Sequence, residues 1–266
     1  MKMKEIYQKL EEGVNNYFNS DQYKTLLRTM SRFHSYSWHN SLLILCQCPG
    51  ASHVAGYRAW QYHFHRAVRK GETAIRIISP ITVKNTTPDG KEEKKRIFRP
   101  SCVFDISQTD PIPQLDPVQI GIGELEGDID NYKSLINTLI TISPVPVSFT
   151  LDLSVNGCYN DSDKSISIKD GMPPRQTVKT LIHEIGHAYA HTKEQLSDLP
   201  RTREIMETEA ESISYIVCDS LGIDTGDYSF PYISTWARDD HKKILKSSMK
   251  TIQRTADHII RKLHTK

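Results

Sequence analysis

The chain has 266 residues, enough for one large domain or two smaller ones. An apolar content of 38% with 25% charged residues is typical of a soluble globular protein, and the longest apolar run, Leu42–Cys46, is far too short to span a membrane. No apolar segment follows the first residues, and the five scattered cysteines form no CxxC pair. We therefore expect a cytoplasmic protein with reduced thiols, no signal peptide and no membrane partner.

The net charge of +2 conceals two halves of opposite sign. Residues 1–100 contain 17 Lys and Arg against 8 Asp and Glu, whereas the remainder contains 17 against 24. Such an asymmetry suggests two units with different partners, of which the first is the better candidate for binding an anion.

Helical periodicity dominates the first part of the chain, and short β-type runs follow it. Residues 107–130 then change character: they contain three prolines, three glycines and six acids but no Lys or Arg. We place a linker at 111–127, between a domain at 1–110 and a domain at 128–266. The predicted helices of the first domain are 5–18, 21–33, 38–47 and 57–65, and its predicted strands are 74–78, 81–83 and 96–106, with a turn at 88–90.

The second domain mixes both element types. Its predicted helices are 129–141, 175–191, 202–221 and 239–263, and its predicted strands are 145–150 and a hairpin within 157–168. The whole chain is thus expected to have an α+β fold, with an N-terminal helical domain that carries a small antiparallel sheet.

A His-Glu-x-x-His motif lies in the predicted helix 175–191, as His183-Glu184-Ile185-Gly186-His187. Two histidines four residues apart on a helix lie about 40° apart around the axis and one turn apart along it, so both rings can reach one ion. A catalytic zinc ion takes three protein ligands and lowers the pKa of its fourth ligand, a water, to about 7. We predict His183 and His187 as Zn²⁺ ligands and Glu184 as the general base. The alternative is a helix with two solvated histidines.

The third ligand is expected from helix 202–221. Glu207 and Glu211 share one face of this helix, and Glu209 points almost opposite. We assign Glu207 as the third ligand and Glu211 as the carboxylate that orients one imidazole. His191 continues the motif, but a straight helix places it about 12 Å from His183, which excludes it from the same tetrahedron. The alternative for both glutamates is a solvated acidic stripe.

These motifs resemble known peptidases. His183–His187 followed by Glu207-x-x-x-Glu211 resembles the gluzincin branch of zincin metallopeptidases, and the stretch 207–212 is similar to the third-ligand helix of the ImmA/IrrE family. The segment Tyr232–Trp236 also looks like that family. The resemblance implies a gluzincin-like zinc metallopeptidase domain that cleaves a protein or peptide.

The N-terminal half resembles the N-terminal domain of ArdC-type antirestriction proteins. The resemblance is carried by four segments in order: 40–44 (NSLLI), 54–60 (VAGYRAW), 68–72 (VRKGE) and 103–109 (VFDISQT). His191 fits as well, because the ArdC motif resembles HExxHxxxH. The resemblance implies binding of single-stranded DNA (ssDNA) and a role in a mobile element, in antirestriction or in cleavage of a regulator.

Basic and aromatic residues alternate in this half, as nonspecific binding to single strands requires. The alternative is that the two tryptophans are core residues and that 91–96 is a solvated hairpin tip. The predicted DNA-binding residues are Trp38, Tyr57, Arg58, Trp60, Arg66, Arg69 and Lys70.

Three functions remain open at this point. The first is a zinc metalloendopeptidase with an attached ssDNA-binding domain. The second is a DNA-binding antirestriction factor whose zinc site is structural or idle. The third is a regulated peptidase that cuts a repressor, with the N-terminal half as its sensor.

Overall fold

A computed structural model describes residues 3–86, 92–113, 115–116, 118, 129–192, 201–236, 238 and 241–265. The helices are α1 (Met3–Tyr17), α2 (Ser20–Arg32), α3 (Trp38–Gln47), α4 (Tyr57–His63), α5 (Ile129–Ile142), α6 (Pro174–Ala190), α7 (Arg203–Ser220), α8 (Ile233–Trp236) and α9 (Lys242–His264). The strands are β1 (Val54–Ala55), β2 (Arg66–Val68), β3 (Ile75–Thr86), β4 (Glu92–Asp105), β5 (Thr109–Pro111), β6 (Val147–Thr150), β7 (Gly157–Asn160) and β8 (Ser165–Lys169).

The chain divides into two compact units. The first comprises Met1–Asn16 and His39–Gly121, and the second comprises Tyr17–Trp38 and Ile122–Lys266. Helix α2 groups with the second unit, whereas the sequence places it in the N-terminal domain. The reason is packing, because the buried Tyr23 hydroxyl lies 3.1 Å from Ser212 Oγ on α7. Most of the predicted linker at 111–127 lies outside the described residues.

The first unit is built around a long β-hairpin. Strands β3 and β4 pair antiparallel from Ile75↔Val103 to Thr86↔Glu92, and β1 pairs with the other edge of β4. The sequence predicts two short strands where the structure has the single strand β3. Pro80 lies within it, opposite Phe98, and an edge strand tolerates a proline because one row of its N–H groups has no partner. The predicted turn at 88–90 lies outside the described residues.

The second unit packs helices against a small mixed sheet of order β6-β8-β7. Strand β6 runs parallel to β8, and β7 pairs antiparallel with β8, which confirms the predicted hairpin. Helices α6 and α7 pack closely, with Ile213 Cγ2 about 3.4 Å from where a Cβ on Gly186 would lie. Helix α6 is thereby held between the sheet and α7, which fixes the position of the His-Glu-x-x-His motif. Among the described residues, no helix is long and apolar enough to cross a membrane.

Candidate metal centre

Helix α6 is a core helix whose one polar face opens into a groove. Pro174 occupies its first turn, where a missing N–H costs nothing. Val178, Leu181, Ile182 and Ile185 are fully buried. Beside these buried faces runs a stripe of polar side chains, one residue per turn. That stripe consists of Lys179, His183, His187 and His191, at intervals of four residues.

The three predicted ligands converge on one point. His183 Nε2 and His187 Nε2 lie 3.1 Å apart. Glu207 Oε2, from α7, lies 3.4 Å from His183 Nε2 and 3.5 Å from His187 Nε2. These residues form the one group of three or more potential metal ligands found among the described residues.

The spacing of these three atoms fits a tetrahedral ion. Ligand atoms about 2.1 Å from a tetrahedral metal lie roughly 3.4 Å from one another. The measured separations of 3.1, 3.4 and 3.5 Å bracket this value. Two imidazoles and one carboxylate are also the donor set of many catalytic zinc sites. The residues present therefore fit a metal ion with one coordination position left for water or substrate.

Carboxylates set the charge of the centre. Burial lowers the pKa of His183, but hydrogen bonds to Glu207 and Glu211 outweigh it and raise this pKa to about 10. Burial lowers the pKa of His187 to about 4, against the hydrogen bond to Glu207. The neighbouring imidazoles, His183 above all, hold the pKa of Glu207 well below its usual range. The centre thus favours a positive charge at the point where the three ligand atoms meet.

Glu211 supports His183 from behind. Its Oε2 lies 3.2 Å from His183 Nδ1, on the far side of the ring from Nε2. A carboxylate in this position accepts a hydrogen bond from Nδ1–H, so Nε2 is the nitrogen left for a metal ion. The structure therefore places Glu211 where the sequence predicts the carboxylate that orients an imidazole.

His191 and Glu209 form a second layer behind His187. His191 Nδ1 lies 2.8 Å from His187 Nδ1, and His191 Nε2 lies 2.8 Å from Glu209 Oε2. Glu209 is fully buried and also pairs with Arg201. The sequence analysis separates His191 from the predicted ligands but gives Glu209 no role. A signal was present, because Glu209 shares a helix face with the apolar Ile213 and Ile216, four and seven residues later.

Glu184 faces the same groove from the side of strand β7. Its side chain is largely buried and accepts a hydrogen bond from the Tyr159 N–H, and burial raises its pKa. Gly157, two residues before Tyr159 in β7, lies against α6. A Cβ added to Gly157 would come within 2.6 Å of Thr180 Cγ2 and 2.9 Å of Glu184 Oε1. The groove has a volume of about 970 Å³ and is lined by β7, the histidines, Glu184 and Glu207. An edge strand, a carboxylate and the three converging ligand atoms therefore share one open cleft.

The two tryptophans predicted to contact DNA are core residues. Trp38 is 5% exposed and Trp60 is 1% exposed. The Trp60 indole N–H donates to the Phe104 carbonyl oxygen at 2.8 Å. A ring enclosed in this way cannot stack on a base, so the prediction that Trp38 and Trp60 contact DNA is wrong.

The predicted basic residues divide into paired and exposed groups. Arg66 donates to the side chain and carbonyl of Thr109. Arg69 pairs with Glu72 and Asp110. Both arginines thus connect the region of β2 to the region of β5. This structural role competes with phosphate binding. Tyr57, Arg58 and Lys70 are exposed and stay available.

Comparison with known families gives two matches along the chain. Residues 2–104 match the model of the N-terminal domain of anti-restriction factor ArdC. Residues 148–218, which include the metal centre, match the peptidase M78 family model, described as the IrrE N-terminal-like domain.

Similar proteins and structures cover most of the chain. The chain is 28% identical to the uncharacterised protein pXO2-81 of Bacillus anthracis over 99% of its own length, but it spans about half (51%) of that relative. Its structure is similar to the metal-free crystal structure of antirestriction ArdC protein from the R388 plasmid, with a TM-score of 0.58 and 19% identity over 86% of this chain and 85% of that one. The Mn(II)-bound structure of the same protein gives a TM-score of 0.56 at 19% identity, over 86% of each chain.

These findings confirm the predicted α+β fold and the resemblance to ArdC-type and ImmA/IrrE-type proteins noted in the sequence. The chain matches, in this order, the model of the N-terminal domain of anti-restriction factor ArdC and the IrrE N-terminal-like model of the M78 peptidases, and it has the fold of ArdC.

Proposed function

We propose that this protein is a metal-dependent endopeptidase that cleaves a protein substrate, with an N-terminal unit that binds single-stranded DNA. The observation that carries the peptidase proposal is the convergence of His183 Nε2, His187 Nε2 and Glu207 Oε2 on one point beside Glu184. In the cell, this activity would serve antirestriction or the cleavage of a regulator.

Each residue of the centre has a separate task. His183, His187 and Glu207 hold the ion, for which we propose Zn²⁺ because two imidazoles and a carboxylate suit it; the Mn(II)-bound ArdC structure makes Mn²⁺ the alternative to test. The bound ion supplies Lewis acidity toward water and the substrate carbonyl. Glu184 takes a proton from the attacking water and passes it to the leaving amine, and its raised pKa suits both steps.

Strand β7 is the proposed docking strand for the substrate. Within the described part of the sheet it pairs with β8 on one side, and its other edge faces the groove. An extended peptide can add to such an edge through main-chain hydrogen bonds. The scissile bond would then lie over Glu184, which is tied to the same strand through Tyr159 N–H.

Metal removal tests the peptidase proposal. We expect a chelator to abolish cleavage of a protein pool, measured by mass spectrometry of newly formed N-termini, and Zn²⁺ or Mn²⁺ to restore it. His183→Ala should lose the bound metal and stay inactive in both metals, because one ligand and the partner of Glu211 are lost together. Cleavage that persists after complete metal removal, or an unchanged metal content in His183→Ala, would contradict the proposal.

The exposed face of the β3–β4 hairpin is the proposed DNA-binding surface. Lys84 and Lys94 are directly opposite each other, and Thr82 is opposite Arg96. Lys94 and Arg96 are exposed and lie two residues apart on one face of β4, where an anionic partner can reach both cations. Phe98 lies two residues from Arg96 on the same face and is 59% exposed, which makes it available for stacking on a base.

Replacing both Lys94 and Arg96 with alanine should therefore weaken ssDNA binding and flatten its salt dependence. Each lost phosphate contact lowers the slope of log K against log salt by about 0.7. We expect Phe98→Ala to weaken binding without changing this slope, since stacking displaces no counterions. Fluorescence anisotropy with a labelled oligonucleotide measures both. Lys246→Ala/Lys250→Ala, on the exposed side of α9, is the control; an equal effect there would assign the binding to net charge alone.

A further inference from the structure

Behind His187 lies a chain of polar groups that water scarcely reaches. The side chains of Glu209 and His191 are 0% and 3% exposed, and that of Arg201 is 10% exposed. Arg201 contacts Glu209 Oε1 and also donates to Ser247 Oγ at 2.9 Å and to Thr251 Oγ1 at 3.3 Å, both on α9. These contacts connect α9 to His187 through Arg201, Glu209 and His191, and this series of side chains is called the relay below.

The direction of its hydrogen bonds follows from donor and acceptor chemistry. The Glu209 carboxylate, which faces a permanently cationic guanidinium, only accepts, so His191 Nε2 must carry the proton between them. A neutral His191 with its proton on Nε2 has an acceptor at Nδ1. His187 Nδ1, 2.8 Å away, must then be the donor. This leaves the lone pair of His187 on Nε2, the atom that faces His183 and Glu207.

The same result holds on the other side of the centre. Glu211 accepts from His183 Nδ1, so Nε2 is the nitrogen that His183 also turns toward the proposed metal position. The two Nε2 atoms lie only 3.1 Å apart. Two lone pairs at that distance repel each other unless a proton or a metal ion lies between them.

We propose that Arg201, Glu209 and His191 are positioning residues that fix the tautomer and the ring orientation of His187 for metal binding. The inference rests on the proposed metal centre and adds to it a second layer extending to α9. It also explains why Glu209 and Arg201 are buried, because an apolar residue would stabilise a core position at least as well if the charge had no role. The His191 N–H, bonded at 2.8 Å to the His187 carbonyl, further fixes His191 at the end of α6.

Glu209→Gln is the sharpest test of this relay. Its amide keeps the oxygen toward Arg201 and turns the NH₂ group toward His191 Nε2, which reverses both hydrogen bonds and moves the His187 proton to Nε2. We expect the affinity for Zn²⁺, measured by competition with a chromophoric chelator, to fall about 10- to 100-fold. Glu204→Gln, exposed on the first turn of the same helix, is the matched control and should bind Zn²⁺ like the unmodified protein.

The tautomers give a second readout that does not depend on bound metal or on cleavage. Nitrogen-15 spectra of the metal-free protein should show His187 with its proton on Nδ1 and His191 with its proton on Nε2, and Glu209→Gln should exchange both. If that variant does not fold, His191→Phe keeps the Glu209–Arg201 pair and removes the acceptor for His187 together with the N–H that His191 donates to Glu209. It should also lose Zn²⁺ affinity.

The outcomes separate the relay from the peptidase proposal. Unchanged Zn²⁺ affinity in both variants, or a His187 proton on Nε2 in the metal-free protein, overturns the relay even if the protein is an active peptidase. A protein that shows the expected tautomers and affinity losses but cleaves nothing supports the relay and overturns the peptidase proposal.

Discussion

Glu184→Ala is expected to lower the rate of peptide cleavage by about 10²- to 10⁴-fold while the protein stays folded and keeps its metal. Glu184 supplies no ligand atom to the group formed by His183, His187 and Glu207, so the metal-binding atoms are unchanged. What is lost is the carboxylate that moves the proton from water to the leaving amine. The expected loss is therefore in the chemical step and appears in kcat more than in KM.

The measurement compares cleavage of one identified substrate by the unmodified protein, by Glu184→Ala and by Glu204→Ala, each with its metal content determined. Glu204→Ala changes an exposed carboxylate on α7 and should behave like the unmodified protein. The same variants in cells separate the functions left open by the sequence. Antirestriction that survives in Glu184→Ala would favour a DNA-binding factor with an idle metal site.

The arrangement of the candidate metal ligands was predictable because its geometry is local. The four-residue interval of His183 and His187 fixes their relative position on any helix, and the same interval places Glu207 and Glu211 on one face of α7. The structure brings these four side chains together as expected. The only non-local assumption was that α6 and α7 pack against each other, and the apolar residues of both helices indicated it.

The relay was not predictable because its contacts are long-range. Glu209 and His191 are 18 residues apart, and Arg201 meets Ser247 and Thr251 on a helix more than 40 residues later. A charged residue on an apolar helix face shows that a partner is needed but does not identify it. The sequence could have indicated that Glu209 is buried, but not that its partners are His191 and Arg201.

Some of the residues predicted to contact DNA are buried or already paired, because composition alone does not show which side chains are exposed. Trp60 and Tyr57 lie three residues apart on α4, yet Trp60 is 1% exposed and Tyr57 is 56% exposed. Arg69 was selected for its charge, which Glu72 and Asp110 already balance. The hairpin cations become a coherent surface only when the register of β3 and β4 shows which of them share a face.

Gly157→Ala is the second change with a large expected effect, and it tests whether β7 and Glu184 act as one unit. A Cβ at this position would lie 2.6 Å from Thr180 Cγ2 and 2.9 Å from Glu184 Oε1, well inside van der Waals contact. Thr180 is β-branched and cannot easily move within α6, so either β7 or the Glu184 carboxylate must shift. A misplacement of about 1 Å lowers a catalytic rate by roughly 10²-fold, and overpacking costs about 1–3 kcal/mol of unfolding free energy.

Metal affinity should change little in Gly157→Ala, because the atoms nearest to the methyl group belong to Thr180 and Glu184 and not to a proposed metal ligand. Cleavage rate, metal affinity and urea denaturation together test this pattern. Gly186→Ala is the matched control, since its methyl group would lie 3.4 Å from Ile213 Cγ2, in ordinary contact. Alanine also favours the helix over glycine by about 0.5–1 kcal/mol, so this variant should keep its stability and activity. A Gly157→Ala protein with full activity would show that the groove wall at β7 does not position Glu184, and the docking of substrate on that strand would lose its support.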